Sequence, residues 1–252
     1  MTATKATSEY LSTARSLSGK LSNVKQLNPL DVVEGIMLKQ LDYYREMLDK
    51  HIDLVERRLL NGEKIPHEEK IFSIFEPWVE WICKGKSHKP VELGKRTCIA
   101  SDQWHFIVDW WVADHQQDNQ MLLSVIDRVR AVYKEISLCS CDKGFYSKID
   151  VQILELFGIK AIIPKKGKLG IADLERENDP DFIKYKHKHS AIESNINELE
   201  HRGLGRCPDK GIKGFHRYVG LAVIAYNLRR LGQILLTEDR KKAEPPKHRR
   251  AA

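Results

Sequence analysis

The sequence predicts an α/β chain whose mixed sheet is flanked by helices and preceded by a long amphipathic helix. Three observations predict it. An apolar stripe runs at helical spacing from residue 38 to 59; aromatic and branched runs with strand texture begin at residue 71; strand and helix patterns then alternate to residue 163.

Residues 1–30 are dominated by Ser, Thr, Lys and Asn, close with Asn28-Pro29, and read as a flexible segment. Leu38, Leu41, Tyr44, Leu48, Ile52, Val55 and Leu59 follow in steps of three and four, with Lys39, Asp42, Arg45, Glu46, Asp49, Lys50, Glu56 and Arg57 over the remainder. Residues 31–62 therefore read as an amphipathic helical segment that stops at Asn61-Gly62. Fewer than four clean heptads favour packing on the same chain over a coiled-coil dimer.

Beyond Pro66, residues 71–75 and 78–82 have the composition of strands, and residues 85–90 that of a turn. Residues 91–100 and 105–112 predict a hairpin reversing at Ser101-Asp102-Gln103. A helix over 117–134 shows Leu122, Val125, Ile126 and Val129 on one face. A short strand over 138–141 ends at Asp142-Lys143-Gly144, a helix spans 148–157, and a strand over 160–163 ends at Pro164-Lys165-Lys166-Gly167. Two later helices cover 184–202, with Ile192, Ile196 and Leu199 on its buried stripe, and 218–231, where Tyr218, Leu221, Val223, Ile224 and Leu228 read as core. Residues 63–236 form the expected α/β domain and 237–252 a basic tail.

Composition narrows the function classes. Of 252 residues, 42% are hydrophobic and 31% charged, which excludes a wholly disordered chain. No uninterrupted apolar run reaches the roughly 18 residues of a membrane span, and the N-terminal residues lack a secretory apolar core. A soluble, cytoplasmic protein is expected. The net charge of +7 is unevenly divided: residues 1–142 carry 19 basic and 21 acidic side chains, residues 143–252 carry 23 and 14, a net of +9. A polyanion, nucleic acid first, is the expected partner of that second part. The five cysteines form no CxxC pair. Cys139 and Cys141, two apart on a strand, share a face and read as buried thiols rather than zinc ligands.

Two acids stand out. Asp142 follows the end of a short apolar strand, where ligand sites of open α/β sheets collect; the competing reading is a turn Asp bonded to its own backbone. Glu193 borders the buried face of its helix, with His189, Asn197 and Glu200 on the same flank. A carboxylate flanked by an imidazole and an amide suits a metal ligand, and the competing reading is a solvated face of ion pairs. Two acids converging on one edge suit a hard divalent cation, Mg²⁺ (or Mn²⁺). No phosphate-binding Gly-rich loop, serine nucleophile elbow or HExxH is present. Arg202, Arg206, Lys210, Lys213 and Arg217 cluster in a Gly-rich loop, with Lys165 and Lys166 in an earlier turn, as a DNA-backbone contact requires.

Several motifs, in order, carry a resemblance: Ile65-Pro66-His67-Glu68-Glu69-Lys70, Glu92-Leu93-Gly94, Cys141-Asp142-Lys143-Gly144-Phe145, His189-Ser190-Ala191-Ile192-Glu193-Ser194, His201-Arg202-Gly203-Leu204-Gly205-Arg206-Cys207, Gly214-Phe215-His216-Arg217-Tyr218 and Tyr226-Asn227-Leu228. From about Asn61 to Gly232 the chain resembles the DDE transposases of bacterial insertion sequences. The resemblance implies a ribonuclease H-like catalytic domain in which Asp142 and Glu193 are the second and third acids. It implies metal-dependent strand cleavage and strand transfer on double-stranded DNA, both transposon ends and target, by a homo-oligomer assembled on that DNA. The family's first acid, an Asp on an upstream strand, has no match here. The chain therefore reads as a C-terminal part, truncated or split, with impaired catalysis. Glu76, Asp102 and Asp109 lie in the strand region as substitutes without the motif; with Asp102 or Asp109 as first acid, the chain would be a ribonuclease H-like nuclease. The alternative of another class is a non-catalytic DNA-binding fragment that inhibits a full-length transposase.

Overall fold

Residues 3–24, 28–83 and 90–243 are described by the computed structural model. The turn expected at 85–90 and the end of the basic tail lie largely outside them. The chain divides into two units, residues 1–94 and 95–252.

The first unit corrects the N-terminal reading. Ala3–Val24 is a helix, α1, packed along α2, Val32–Leu59. Leu11 and Ala14 of α1 meet Leu48, Ile52 and Val55 of α2. Ser and Thr weaken an isolated helix because their hydroxyls compete for backbone groups. Here Ser8, Thr13 and Ser22 instead donate to the carbonyls one turn back, while Ser18 bonds Asp49 of α2. The Asp31 side chain caps α2 by accepting from Glu34 N at 2.9 Å. Residues 71–75, expected as a strand, are irregular: Ser73 Oγ accepts from Glu76 N, and Phe72 packs on Trp81 with ring centroids 5.7 Å apart. Their aromatic content serves packing without a strand partner. The strand expected over 78–82 is β1, Glu80–Cys83, antiparallel to β2, Val91–Gly94. Residues 91–100 are thus two strands, broken where the second unit begins.

The second unit follows the expected order. β3, Thr97–Ser101, pairs antiparallel with β4, Ile107–Val112. Their reversal is set by Asp102, whose carboxylate accepts from Trp104 N and Phe106 N while His105 adopts a φ of 67°. Helix α3, Asp118–Val132, leads to β5, Leu138–Ser140; α4, Lys148–Leu156, then connects to β6, Lys160–Ile162, parallel to β5. A short helix that the sequence reading lacks, α5 (Ile171–Glu177), precedes α6 (Pro180–Leu199) and α7 (Gly211–Ala243). Among the described residues the strands form three separate two-stranded sheets, one parallel and two antiparallel, in place of the single mixed sheet the sequence predicts; the architecture is a mixture of helix and strand.

Two cores hold this unit. Leu122 and Ile126 of α3 pack with Val151 and Leu154 of α4 over Ala161 and Ile163. Ile107 of β4 packs with Leu199 of α6 and Val223 and Tyr226 of α7. The helix α7 approaches the hairpin closely because position 220 is glycine: a Cβ there would lie 3.2 Å from the Trp110 ring. Asn227 then locks the contact, its Oδ1 accepting from Ile107 N at 2.9 Å and its Nδ2 donating to Ile107 O at 2.8 Å. The core expected on α7 is corrected in part: Val223 is buried and Tyr218 half-buried, but Leu221, Ile224 and Leu228 face outward. On α6, Ile196 is likewise exposed, and Asn195 occupies the buried stripe beside Leu199. By length and composition α7 is also apolar enough to cross a membrane, although no single run of it is uninterrupted.

Candidate functional site

The parallel ladder carries Asp142 to the carboxyl end of β5: Cys141 N donates to Ile162 O, and the chain then enters a single 3-10 turn over Lys143–Phe145. The Asp142 carboxylate makes no capping bond to that turn. It is 68% exposed, and its Oδ1 lies 3.2 Å from His189 Nε2 on α6. A turn Asp bonds its own backbone, and Asp142 makes no such capping bond here. The His189 side chain is 15% exposed, and its Nε2, buried and out of line for a hydrogen bond, has only this charge contact.

The helix α6 reaches this point because Asp179 caps it, accepting from Phe182 N, and because Phe182 is buried at its start. Ser140 Oγ donates to Tyr185 O at 3.4 Å, tying α6 to β5. Glu193 sits four residues beyond His189, one turn along the same side, and is exposed. The contact therefore brings His189, four residues before Glu193, to the end of the parallel pair where Asp142 stands. No third carboxylate, thiol or imidazole of the described residues lies within 4.8 Å of both Asp142 and His189, so Glu193 does not close onto that contact. Asp142 and His189 thus meet as a carboxylate and an imidazole, with the Glu193 carboxylate outside that pair.

Gly144 explains itself here. A Cβ at this position would lie 2.8 Å from Asp118 Oδ2, at the start of α3. Asp118, a third carboxylate beside the Asp142 turn, lies in the helix expected over 117–134 and is 3.3 Å from Arg96. The substitutes from the strand region are otherwise engaged. Asp102 builds the hairpin turn, Asp109 is bonded to Arg128, and Glu76, in the other unit, accepts from Trp78 Nε1.

Cys139 and Cys141, expected as buried thiols, are half-buried and packed against the core. Cys139 and Cys141 share the face over the α3–α4 core with sulfurs 3.5 Å apart. Their mutual bond lowers the Cys139 thiol and raises that of Cys141. Burial, with Asp118 and Asp109 adding repulsion, pushes the Cys98 thiol up to about 12.

The expected DNA cations divide. Lys165 is engaged: its ammonium bonds Asp173, which raises its pKa, and its N–H donates to Glu177. Arg202 Nε is 3.0 Å from Glu198, and Arg217 pairs with Asp209 at 2.7 Å. Lys166, Arg206, Lys210 and Lys213 are exposed and have no acidic partner among the described residues. The loop that carries Arg206 depends on Gly203, whose φ is 106° and whose carbonyl accepts from Tyr218 OH at 2.9 Å.

Beyond Glu193, a groove of about 490 Å³ is lined by Ser194, Asn197, Glu198, His201, Arg202 and Arg229. Glu198 bonds both Arg202 and Arg229, fixing the two guanidinium groups at its wall. Arg229 escaped the sequence reading; the signal was a pair of arginines, 229 and 230, inside an otherwise apolar helix. No family model, curated protein or solved structure matches this chain.

Proposed function

We propose that this chain belongs to a DDE transposase with a ribonuclease H-like catalytic fold, acting on double-stranded DNA. The observation that carries the reading is the meeting of α6 with the end of β5. It sets His189 Nε2 3.2 Å from Asp142 and Glu193 one turn farther along. Asp142 and Glu193 would hold Mg²⁺ or Mn²⁺, which supplies activation of water or a 3′-hydroxyl for in-line attack on phosphate. The His189 imidazole stands beside the Asp142 carboxylate. Lys166, Arg206, Lys210 and Lys213, exposed and without an acidic partner among the described residues, offer charge to phosphates.

With two motif acids, the isolated chain binds DNA and responds to Mg²⁺ but does not complete strand cleavage. Gel-shift titrations with duplex DNA, with and without Mg²⁺, test this. D142N/E193Q is expected to keep its metal-free DNA affinity and lose the Mg²⁺ response. Binding that ignores salt, or a Mg²⁺ response intact in the double variant, overturns the reading. Metal-dependent cleavage abolished by D142A would overturn the inactivity. A second reading, a DNA-binding fragment that inhibits an intact enzyme, is favoured by the four unpaired cations alone. It requires an unchanged Mg²⁺ response in that same variant.

A further inference from the structure

The helix α7 has two apolar faces. One is used: Val219, Val223 and Tyr226 are buried, and Asn227 and Arg230 bond backbone atoms of the hairpin region at Ile107 and Trp104. On the other, Leu221, Ile224, Leu228, Leu231 and Leu235 are exposed by 58%, 56%, 64%, 44% and 51%. These five positions are spaced three, four, three and four residues apart, which is the seam of a two-stranded coil. A helix that is apolar all round is ordinarily buried all round. Half-exposed leucines keep on the order of 100 Å² each, so the stripe presents on the order of 500 Å² of apolar surface, in the upper range of a monomer's largest patch, which is often functional.

We infer that this stripe is a self-association surface through which two copies of the chain pair α7 against α7. Two such faces bury on the order of 1,000 Å², the least that a specific interface needs. Ala225 and Gly232 flank the seam and present little bulk to an approaching helix. A second copy fits better than lipid, because Arg229 and Arg230 sit at the middle of the stripe's length and a bilayer would have to accommodate both. The inner face is also fixed to the hairpin by Asn227 and Arg230, so α7 cannot enter a membrane without breaking those bonds. The inference does not depend on the DNA reading.

Sedimentation velocity of the full chain tests it. Free of DNA at micromolar concentration, the protein is expected to sediment at twice its 29.1 kDa. I224E/L228E is expected to weaken the pairing at least about 100-fold, and the milder I224A/L228A at least about tenfold, since central apolar anchors dominate such interfaces. Both are expected to keep wild-type helicity, because the two side chains face outward. M37E, on an exposed position of α2, is expected to leave the dimer intact. A wild-type chain that stays monomeric at about 100 μM overturns the proposal. So does an I224A/L228A variant that dimerises as tightly as wild type, or a monomer whose stripe engages only vesicles of anionic phospholipid.

Discussion

Replacing Asn227 by Ala tests how α7 is held to the hairpin. The Asn227 amide satisfies both backbone groups of one residue, Ile107, through bonds of 2.9 and 2.8 Å. Ile107 is 4% exposed and sits in the core with Leu199, Val223 and Tyr226. Truncation leaves a buried N–H and a buried C=O without partners, and each such loss costs about 1–3 kcal/mol. A small cavity lets water recover part of this, so a total of about 2–4 kcal/mol is expected. For a unit the size of residues 95–252, that corresponds to a fall in Tm of roughly 5–15 °C. Urea unfolding and thermal melting measure it directly. Asn227→Asp separates geometry from chemistry: it retains an acceptor for Ile107 N but sets a carboxylate against Ile107 O, and is expected to be at least as destabilising as Ala. A loss below about 0.5 kcal/mol for Asn227→Ala, the range of an ordinary surface substitution, would refute the reasoning.

Three further outcomes follow from the same structure. Gly203→Ala forces a side chain into a φ of 106° with Tyr218 OH 3.1 Å from the new Cβ, and is expected to cost about 1–3 kcal/mol in urea unfolding. Burial raises the Cys98 thiol to about 12 in the folded chain, so the unfolded chain gives up this proton first as pH rises. Its contribution is whole below about pH 9 and falls between pH 9 and 12; Cys98→Val is expected to flatten that alkaline decline by about 1 kcal/mol at pH 10, read from unfolding curves at pH 8 and 10. Lys210→Ala/Lys213→Ala is expected to reduce the slope of log affinity for duplex DNA against log salt by about 1.8, two phosphate contacts' worth, whereas Lys165→Ala leaves it nearly unchanged because Asp173 holds that ammonium.

What was legible in the sequence followed from periodicity and punctuation. The hairpin, the helices α2, α3, α4, α6 and α7, and the strands β5 and β6 came from apolar spacing and from turns such as Asp142-Lys143-Gly144, whereas the parallel pairing of β5 with β6 is a structural finding. The positions of Asp142 and Glu193 were legible as a strand end and a helix border, which are local properties, whereas the 3.2 Å approach of His189 to Asp142 is a tertiary contact. The misses arose where tertiary contacts override local preference. The helix α1 gains its stability from Leu11 and Ala14 against α2, which no count of its Ser and Thr reveals. Phe72 has strand composition but is used to pack on Trp81. Leu221, Ile224 and Leu228 have core composition, yet α7 shows its core face through Val223, Tyr226 and Asn227. Both faces are apolar, so the residues themselves do not mark which turns inward. Lys165 and Arg217 carry charge that reads as available until Asp173 and Asp209, distant by 8 residues each, are brought to them.

The proposed function requires that Asp142 and Glu193 share one divalent cation. Titration of Mn²⁺ followed by electron paramagnetic resonance, on the full chain with duplex DNA, tests it most directly. Asp142→Asn and Glu193→Gln are each expected to weaken binding by tenfold or more. The double variant is expected to lose little beyond either single change, because both remove the same site. Unchanged Mn²⁺ affinity in the double variant, or losses that simply add as at two independent sites, would contradict the account.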